Sequence, residues 1–229
     1  MHEKIITAFD IQTREELDYL YNELSDNIKI VKIGMEAFYT FGVPIIERFK
    51  DKNINIFLDL KLHDIPTTVF KAAKTLGQLG VDILNVHAAG GTDMMKAGLE
   101  GFLDSNPNGK LIGVTQLTST NQDIMNNELN ISGSLEEQVK RMAYLVKNAG
   151  LHGIVCSAGE VRSIKSELGA SFLCITPGIR PRGSASDDQK RIYTPEEALA
   201  FGADYLVIGR PITKATSPRK AYSEIIKGL

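Results

Sequence analysis

Residues 55–61 read NIFLDLK, a short apolar run with a charged end, and this type of stretch decides the fold. Similar apolar, β-branched runs recur along the chain with helical patterns between them. In chain order the eight runs are IITAFD (5–10), IVKIG (30–34), NIFLDLK (55–61), ILNVHA (83–88), LIGVTQLT (111–118), GIVCSA (153–158), FLCITPG (172–178) and DYLVIGR (204–210). Their near-continuous hydrophobicity is typical of parallel strands covered by helices.

The segments between the runs carry signals for helix starts and stops. Three pairs have the spacing of a capping box, namely Thr13 with Glu16, Ser134 with Glu137, and Thr194 with Glu197. Pro195 and Pro218 suit first helical positions. Glycines in LGVD (79–82), AGLH (149–152) and FGAD (201–204) fit helix ends before the fourth, sixth and eighth strands. Eight βα units predict a TIM (β/α)8 barrel that spans residues 1–229 as a single domain.

Composition agrees with one globular domain and excludes several classes of protein. The chain has 229 residues, 43% hydrophobic and 24% charged, with a formal net charge of -2. No stretch approaches the roughly 18 apolar residues of a membrane span, and MHEKIITAFD (1–10) lacks a secretory signal pattern, so we expect a cytoplasmic protein. The charge balance argues against a nucleic-acid partner. Cys156 and Cys174 lie in apolar runs, which predicts buried reduced thiols.

Polar residues follow nearly every predicted strand. A barrel brings the carboxyl ends of its strands together at one mouth. The polar residues at or just beyond the predicted strand ends are Asp10, Lys32, Asp59, Lys61, His87, Thr118, Ser157, Arg180 and Arg210. Residues two apart on a strand face the same side, so Asp59 and Lys61 should both point into that mouth, with Asp64 in the following loop.

Alternating carboxylates and lysines should lower the carboxylate pKa values, keep the lysines charged and make a lysine a directed proton donor. A solvated salt bridge is the simpler alternative for Asp59 and Lys61, but both interrupt an apolar strand. His63 and His87 receive no catalytic role. The histidines show no metal-ligand spacing, although clustered carboxylates could in principle hold Mg²⁺.

The last two strands suggest a phosphate site. TPGIRP (176–181) and IGRPI (208–212) each join a glycine to an arginine, and barrels often bind phosphate there. Arg210 is the stronger candidate, since Arg180 could instead reach solvent. Two long polar loops, 119–133 and 179–191, are candidate lids, and Gln189 in the second could link a phosphate to a ring by hydrogen bonds.

LDLKLHDIPTTV (58–69) resembles the DxKxxDIP signature of the orotidine 5'-monophosphate decarboxylases. The resemblance extends through the chain in the same order, in AFD (8–10), VKIG (31–34), NVHAAGG (85–91), VTQLTS (114–119), TPGIRP (176–181) and VIGRPI (207–212). DxKxxD alone is shared with sugar-phosphate decarboxylases and hexulose-phosphate synthases. Those relatives generally have a Mg²⁺-binding glutamate near the position of Lys32, whereas the nucleotide decarboxylases have lysine.

The resemblance implies decarboxylation of orotidine 5'-monophosphate to UMP, with no cofactor and no metal. It assigns Lys32, Asp59, Lys61 and Asp64 to a charged array, and it implies a homodimer in which Asp64 and Thr68 reach the neighbouring subunit's site. The implied substrate contacts are Asp10 and Lys32 to the ribose, Thr118 to the pyrimidine, Gln189 to the ring and phosphate, and Gly209, Arg210 and Arg180 to the phosphate. Two alternatives remain, a Mg²⁺-dependent sugar-phosphate decarboxylase or aldolase on the same barrel and a noncatalytic nucleotide-binding barrel.

Overall fold

A computed structural model describes residues 2–182 and 192–229 of the chain. Within these ranges eight parallel strands form one closed barrel in the order β1 to β8. The strands are β1 (Ile5–Phe9), β2 (Ile30–Gly34), β3 (Asn55–Leu62), β4 (Ile83–His87), β5 (Lys110–Val114), β6 (Gly153–Val155), β7 (Leu173–Thr176) and β8 (Tyr205–Ile208). The barrel closes because β1 pairs with both β2 and β8. The predicted TIM barrel is therefore confirmed.

Each predicted strand overlaps an observed one, and the largest difference is at the fifth. β5 ends at Val114 instead of Thr118. The last residues that pair with it are His87 of β4 and Val155 of β6, and both are opposite Val114. Beyond Val114 the regular pairing ends: the Thr115 backbone N–H still donates to the Val155 oxygen at 3.3 Å, and the chain then leaves the barrel.

Helices cover the outside of the barrel. In the described residues they are α1 (Arg14–Leu24), α2 (Met35–Phe41), α3 (Val43–Lys50), α4 (Pro66–Gln78), α5 (Gly91–Ser105), α6 (Leu135–Asn148), α7 (Ala158–Leu168), α8 (Pro195–Ala200), α9 (Arg210–Thr213) and α10 (Pro218–Lys227). None of those described is long and apolar enough to cross a membrane.

The predicted helix ends are largely confirmed. Complete capping boxes begin α6 at Ser134 and α8 at Thr194, and α8 and α10 begin at the two predicted prolines. The three predicted glycines, Gly80, Gly150 and Gly202, all have positive φ. Only half of the first predicted box forms, because Thr13 accepts from the Glu16 backbone while the Glu16 carboxylate pairs with Lys214.

The core has two layers that the strands separate. Side chains that point inward fill the barrel interior, namely Ile6, Ala8, Ile30, Phe57, Ile83, Ile112, Ile175 and Val207. Side chains that point outward pack against the helices in a larger apolar layer. Cys174 and Cys156 are buried free thiols, as predicted. The apolar interior fills the barrel below its mouth, so polar chemistry is confined to the carboxyl ends of the strands.

Helices α4 and α5 pack closely through glycine. A Cβ atom added at Gly101 of α5 would lie 2.2 Å from the backbone oxygen of Phe70 in α4. This distance is far shorter than van der Waals contact, and the obstructing atom belongs to a backbone. Glycine at this position therefore sets how closely the helix after β3 approaches the helix after β4.

We expect Gly101→Ala to lower the free energy of unfolding by about 1–3 kcal/mol, because the helices must separate to admit the methyl group. The loss should appear although alanine is the better helix former by about 1 kcal/mol. Urea unfolding monitored by circular dichroism measures it. Gly228→Ala is the control, since a Cβ there would lie 3.6 Å from its nearest neighbours. Wild-type stability in Gly101→Ala would contradict the close packing.

Candidate active site

A cleft of about 310 Å³ opens at the mouth of the barrel, the end where the strands reach their carboxyl termini. Residues from seven of the eight strand ends contribute to its wall. Eight predicted site residues line it, namely Asp10, Lys32, Asp59, Lys61, Thr118, Arg180, Gly209 and Arg210. The structure thus brings together residues that are up to 200 positions apart, as the barrel hypothesis requires.

Four charged side chains form a continuous array in this cleft. Lys32 Nζ lies 3.0 Å from Asp10 Oδ1 and 3.3 Å from Asp59 Oδ2. Lys61 Nζ lies 2.7 Å from Asp59 Oδ1. Charges therefore alternate along the wall from β1 through β2 to β3, and each lysine is held by a carboxylate.

The centre of the array is buried. The Lys32 side chain is 11% exposed and that of Asp59 is 13% exposed. Burial alone lowers the pKa of Lys32, but the nearby Asp59 and Asp10 carboxylates outweigh it and hold the pKa above its ordinary value. Burial raises the pKa of Asp59. The opposing effect of Lys32, Lys61 and Asn85 is larger, so the pKa of Asp59 lies below its ordinary value. Both groups remain charged at neutral pH, as the sequence predicted.

Lys61 sits on an irregular part of β3. Its backbone φ is +51°, in the left-handed region that residues other than glycine rarely adopt. The Asn85 side chain, on β4, accepts a hydrogen bond from the Lys61 backbone N–H at 2.7 Å and donates one to Asp59 Oδ1 at 2.7 Å. Asn85 is not among the site residues predicted from the sequence. Its signal was an amide in the apolar strand ILNVH (83–87), where a buried polar group needs partners.

Gly34 is a second residue of the site that was not predicted from the sequence. A Cβ atom there would lie 2.9 Å from Lys32 Nζ and 3.1 Å from Asp10 Oδ1. Any side chain at this position would therefore press on the ion pair. The Lys32 ammonium group occupies the space that a side chain at position 34 would need, which explains why VKIG (31–34) ends in glycine.

Arg180 and Arg210 lie on the other side of the cleft, at the ends of β7 and β8. Arg180 is buried, which disfavours the alternative that it merely reaches solvent. Its backbone N–H donates to the Tyr193 oxygen at 2.9 Å, and Nη1 donates to the Ile179 oxygen at 3.1 Å. Gly209 precedes the exposed Arg210, which begins the short helix α9. Gln189 lies outside the described residues, as does most of the predicted loop at 179–191.

The loop after β5 supplies Thr118 to the cleft and then folds onto itself. Met125 is fully buried, and Gln122 Nε2 donates to the Gly133 oxygen at 2.7 Å. A short π-helical turn occupies Ile124–Glu128. This predicted lid segment is therefore anchored by its own hydrogen bonds and by a core methionine.

Asp64 and Thr68 do not line the cleft of their own chain. They border a separate groove with Tyr39, and Lys61 is common to both cavities. Asp64 Oδ1 accepts a hydrogen bond from the adjacent Ile65 N–H at 2.7 Å, and its side chain otherwise faces solvent. The structure thus separates these two predicted residues from Asp10, Lys32 and Asp59.

His63 and His87 stack on each other with ring centroids 5.5 Å apart, and neither lines the cleft. The pKa of His87 is lowered by burial and by the neighbouring His63 and Lys61. His87 Nδ1 accepts from the Ala89 N–H at 3.2 Å, which is a local structural role. Among the described residues, no group of three or more His, Cys, Asp or Glu side chains is arranged to hold a metal ion.

Comparison with known proteins gives one consistent result. The family model described as "Orotidine 5'-phosphate decarboxylase / HUMPS family" matches residues 3–225. The orotidine 5'-phosphate decarboxylase of Staphylococcus saprophyticus is 50% identical over 220 residues, covering 96% of this chain and 95% of that protein. The one from Staphylococcus haemolyticus is 49% identical with the same coverage.

Solved structures also resemble this one. A crystal structure of orotidine 5'-phosphate decarboxylase from Lactobacillus acidophilus matches with a TM-score of 0.86 and 38% identity, covering 98% of both chains. An uncharacterized conserved protein from Geobacillus kaustophilus matches with a TM-score of 0.85 and 41% identity, covering 97% of this chain and 98% of that one. The similarity therefore extends over the whole barrel.

The lowered pKa of Asp59 makes its contribution to stability depend on pH. Since its folded pKa lies below the ordinary 3.8, the stabilisation is complete above that pH and is lost as pH falls through the folded value. We expect Asp59→Asn to lower the free energy of unfolding by about 3 kcal/mol at pH 7, because two lysines lose a buried partner. The difference from wild type should shrink towards pH 3 in urea titrations.

Asp26→Asn is the control, because this carboxylate pairs with Lys52 on the surface and the pair should contribute little. A difference between wild type and Asp59→Asn that stays the same from pH 7 to pH 3 would show that the Asp59 charge does not stabilise the array.

Proposed function

The chain belongs to the orotidine 5'-phosphate decarboxylase / HUMPS family, and we propose that it converts orotidine 5'-monophosphate to UMP and CO₂ in pyrimidine biosynthesis. The main support is the Lys61 ammonium group, which is held 2.7 Å from a buried carboxylate at the mouth of the barrel. We also propose that the protein is cytoplasmic, because its proposed substrate is a small charged nucleotide of a biosynthetic pathway.

The proposed reaction breaks the bond between C6 of the pyrimidine and its carboxylate carbon. The electron pair stays on C6 in the plane of the ring, where π delocalisation does not stabilise it, and CO₂ leaves. The Lys61 ammonium group stabilises the developing anion and then transfers a proton to C6, which gives UMP. The neutral lysine regains a proton from water. Asp59 holds the Lys61 ammonium group in place through their 2.7 Å ion pair.

The remaining cleft residues bind the nucleotide in this proposal. Asp10 and Lys32 contact the ribose hydroxyls, and Thr118 contacts the pyrimidine. Gly209, Arg210 and Arg180 bind the phosphate, and Gln189 links the phosphate to the ring. Binding energy from the phosphate, which does not react, can then be used to organise the site around C6.

The proposed reaction uses no metal and no other cofactor. Asp10 and Asp59, the two carboxylates of the charged array, are already paired with the Lys32 ammonium group. Lys32 and Lys61 supply the positive charge that the cation would provide. These contacts favour the nucleotide decarboxylation over the Mg²⁺-dependent alternative.

We further propose that the active unit is a homodimer in which Asp64 and Thr68 complete the partner's site. Residues 63–68 form a continuous exposed run beside Lys61. Two large apolar side chains nearby are open to solvent, Ile65 at 66% and Tyr39 at 71%. A second copy of the chain would cover this apolar surface and bring its own Asp64 towards the partly exposed Lys61.

Lys61→Ala should reduce kcat for orotidine 5'-monophosphate by about 10⁴-fold or more, because both the positive charge and the proton donor are lost. Loss of substrate absorbance in the ultraviolet measures the reaction. Lys110→Ala, at the opposite end of a barrel strand, is the control and should keep wild-type turnover. Near-wild-type turnover in Lys61→Ala would remove this residue from its role.

Wild-type activity should survive thorough treatment with EDTA. Loss of activity that added Mg²⁺ restores would support the metal-dependent alternative. Tight UMP binding with no turnover of orotidine 5'-monophosphate would instead indicate a noncatalytic nucleotide-binding barrel.

An equal mixture of Lys61→Ala and Asp64→Ala subunits should recover about a quarter of wild-type activity after subunit exchange. Each mixed dimer then has one site with both residues intact and one with neither. Mixing Lys61→Ala with Asp59→Ala is the control and should recover nothing, because these two residues belong to the same subunit's site. No recovery in verified mixed dimers of the first pair would exclude a shared site.

A further inference from the structure

The pairing of β3 with β4 is interrupted beside the charged array. Leu58 is opposite Leu84, and the next paired residues are Leu62 and Val86. Three residues of β3, Asp59 to Lys61, therefore lie opposite Asn85 alone. Such a bulge leaves backbone groups without their usual partners and redirects the side chains of the longer strand.

Asn85 provides the missing partner through its side chain. Asn85 Oδ1 accepts from the Lys61 N–H at 2.7 Å, and Nδ2 donates to Asp59 Oδ1 at 2.7 Å. Only this orientation of the amide works, because a flipped amide would place oxygen against the carboxylate and NH₂ against the N–H. The Asn85 side chain is fully buried, so water does not offer a substitute.

Asn85 also fixes the orientation of the Asp59 carboxylate. Asp59 Oδ1 accepts from both Lys61 Nζ and Asn85 Nδ2, while Oδ2 faces Lys32 Nζ at 3.3 Å. Donors on β2, β3 and β4 thus restrict the carboxylate to one rotation. The position of the Lys61 ammonium group depends on that rotation as well as on the unusual Lys61 backbone.

No other residue type supplies both hydrogen bonds in the same space. Leucine has a similar volume but would leave the Lys61 N–H and Asp59 Oδ1 unsatisfied, which is costly in a buried site. Aspartate would keep the acceptor for Lys61 but would place a second negative charge against Asp59. The left-handed backbone of Lys61 is itself unfavourable by roughly 1–2 kcal/mol and persists only when its surroundings maintain it.

We propose that Asn85 is a positioning residue for the proposed decarboxylation, which holds the Lys61 ammonium group in line with the reacting carbon by fixing both the Lys61 backbone and the Asp59 carboxylate. The inference rests on the proposed function. Asn85 does not line the cleft, so it acts through Lys61 and Asp59 and not on the substrate.

Asn85→Leu tests the proposal by steady-state kinetics on orotidine 5'-monophosphate. We expect kcat to fall about 100-fold, because misplacing a reacting group by about 1 Å has an effect of that size. KM should change less than about threefold, since the groups that bind phosphate and ribose are untouched. Asp82→Ala is the matched control. Its carboxylate accepts from the Ile56 N–H at 2.7 Å, at the opposite end of the same strand pair, so the variant should lose stability and keep kcat.

Asn85→Asp provides a readout that a merely structural role would not change. At alkaline pH its carboxylate repels Asp59, whereas after protonation its O–H can donate to Asp59 as the amide did. Lys32 and Lys61 also face this pair, and their ammonium groups lie 3.3 and 2.7 Å from the Asp59 carboxylate. The ratio of kcat in Asn85→Asp to that in wild type should therefore rise as pH is lowered from 8 to 5.

Wild-type kcat in folded Asn85→Leu would overturn the positioning role, as would a pH-independent ratio for Asn85→Asp. If Asn85→Leu does not fold, the pH ratio of Asn85→Asp decides alone. Wild-type protein with no turnover of orotidine 5'-monophosphate would instead overturn the proposed function, so the two failures are distinguishable.

Discussion

The Asp59 carboxylate is the centre on which the barrel mouth depends. A buried anion is costly unless opposite charges and hydrogen bonds compensate it. Here the compensation comes from nitrogen atoms on three neighbouring strands, namely those of Lys32, Lys61 and Asn85. The same contacts that make the carboxylate tolerable also hold two ammonium groups at fixed positions. Positive charge at the mouth is therefore a consequence of how one aspartate is accommodated.

The sequence predicted the barrel well because its signals are local. Apolar runs, capping residues and helix-ending glycines are each visible within a few positions, and all point to a repeated βα unit. Close contacts between distant segments were not predictable. Gly101 is required by the Phe70 backbone and Gly34 by the Lys32 ammonium group, and neither neighbour is evident from the flanking residues. Strand β5 was predicted too long because its end depends on where its neighbours end.

The charged array was predictable only in part. The two-residue period of a strand correctly placed Asp59 and Lys61 on one side, although the path between them includes a left-handed residue that this rule does not describe. Asn85 was missed because a single amide in an apolar strand carries no chemical motif. Asp64 and Thr68 were placed in a shared site by resemblance alone, and in a single chain they border a different groove from the one that Asp59 lines.

The bulge in β3 also limits how this part of the chain can change in length. β3 already carries two residues more than β4 across the interval from Leu58 to Leu62. Because side chains alternate between the two faces of a strand, we expect one inserted or deleted residue between Asp59 and Lys61 to turn Lys61 away from Asp59. Surface loops tolerate insertions easily, whereas an insertion between Asp59 and Lys61 is expected to disrupt the charged array.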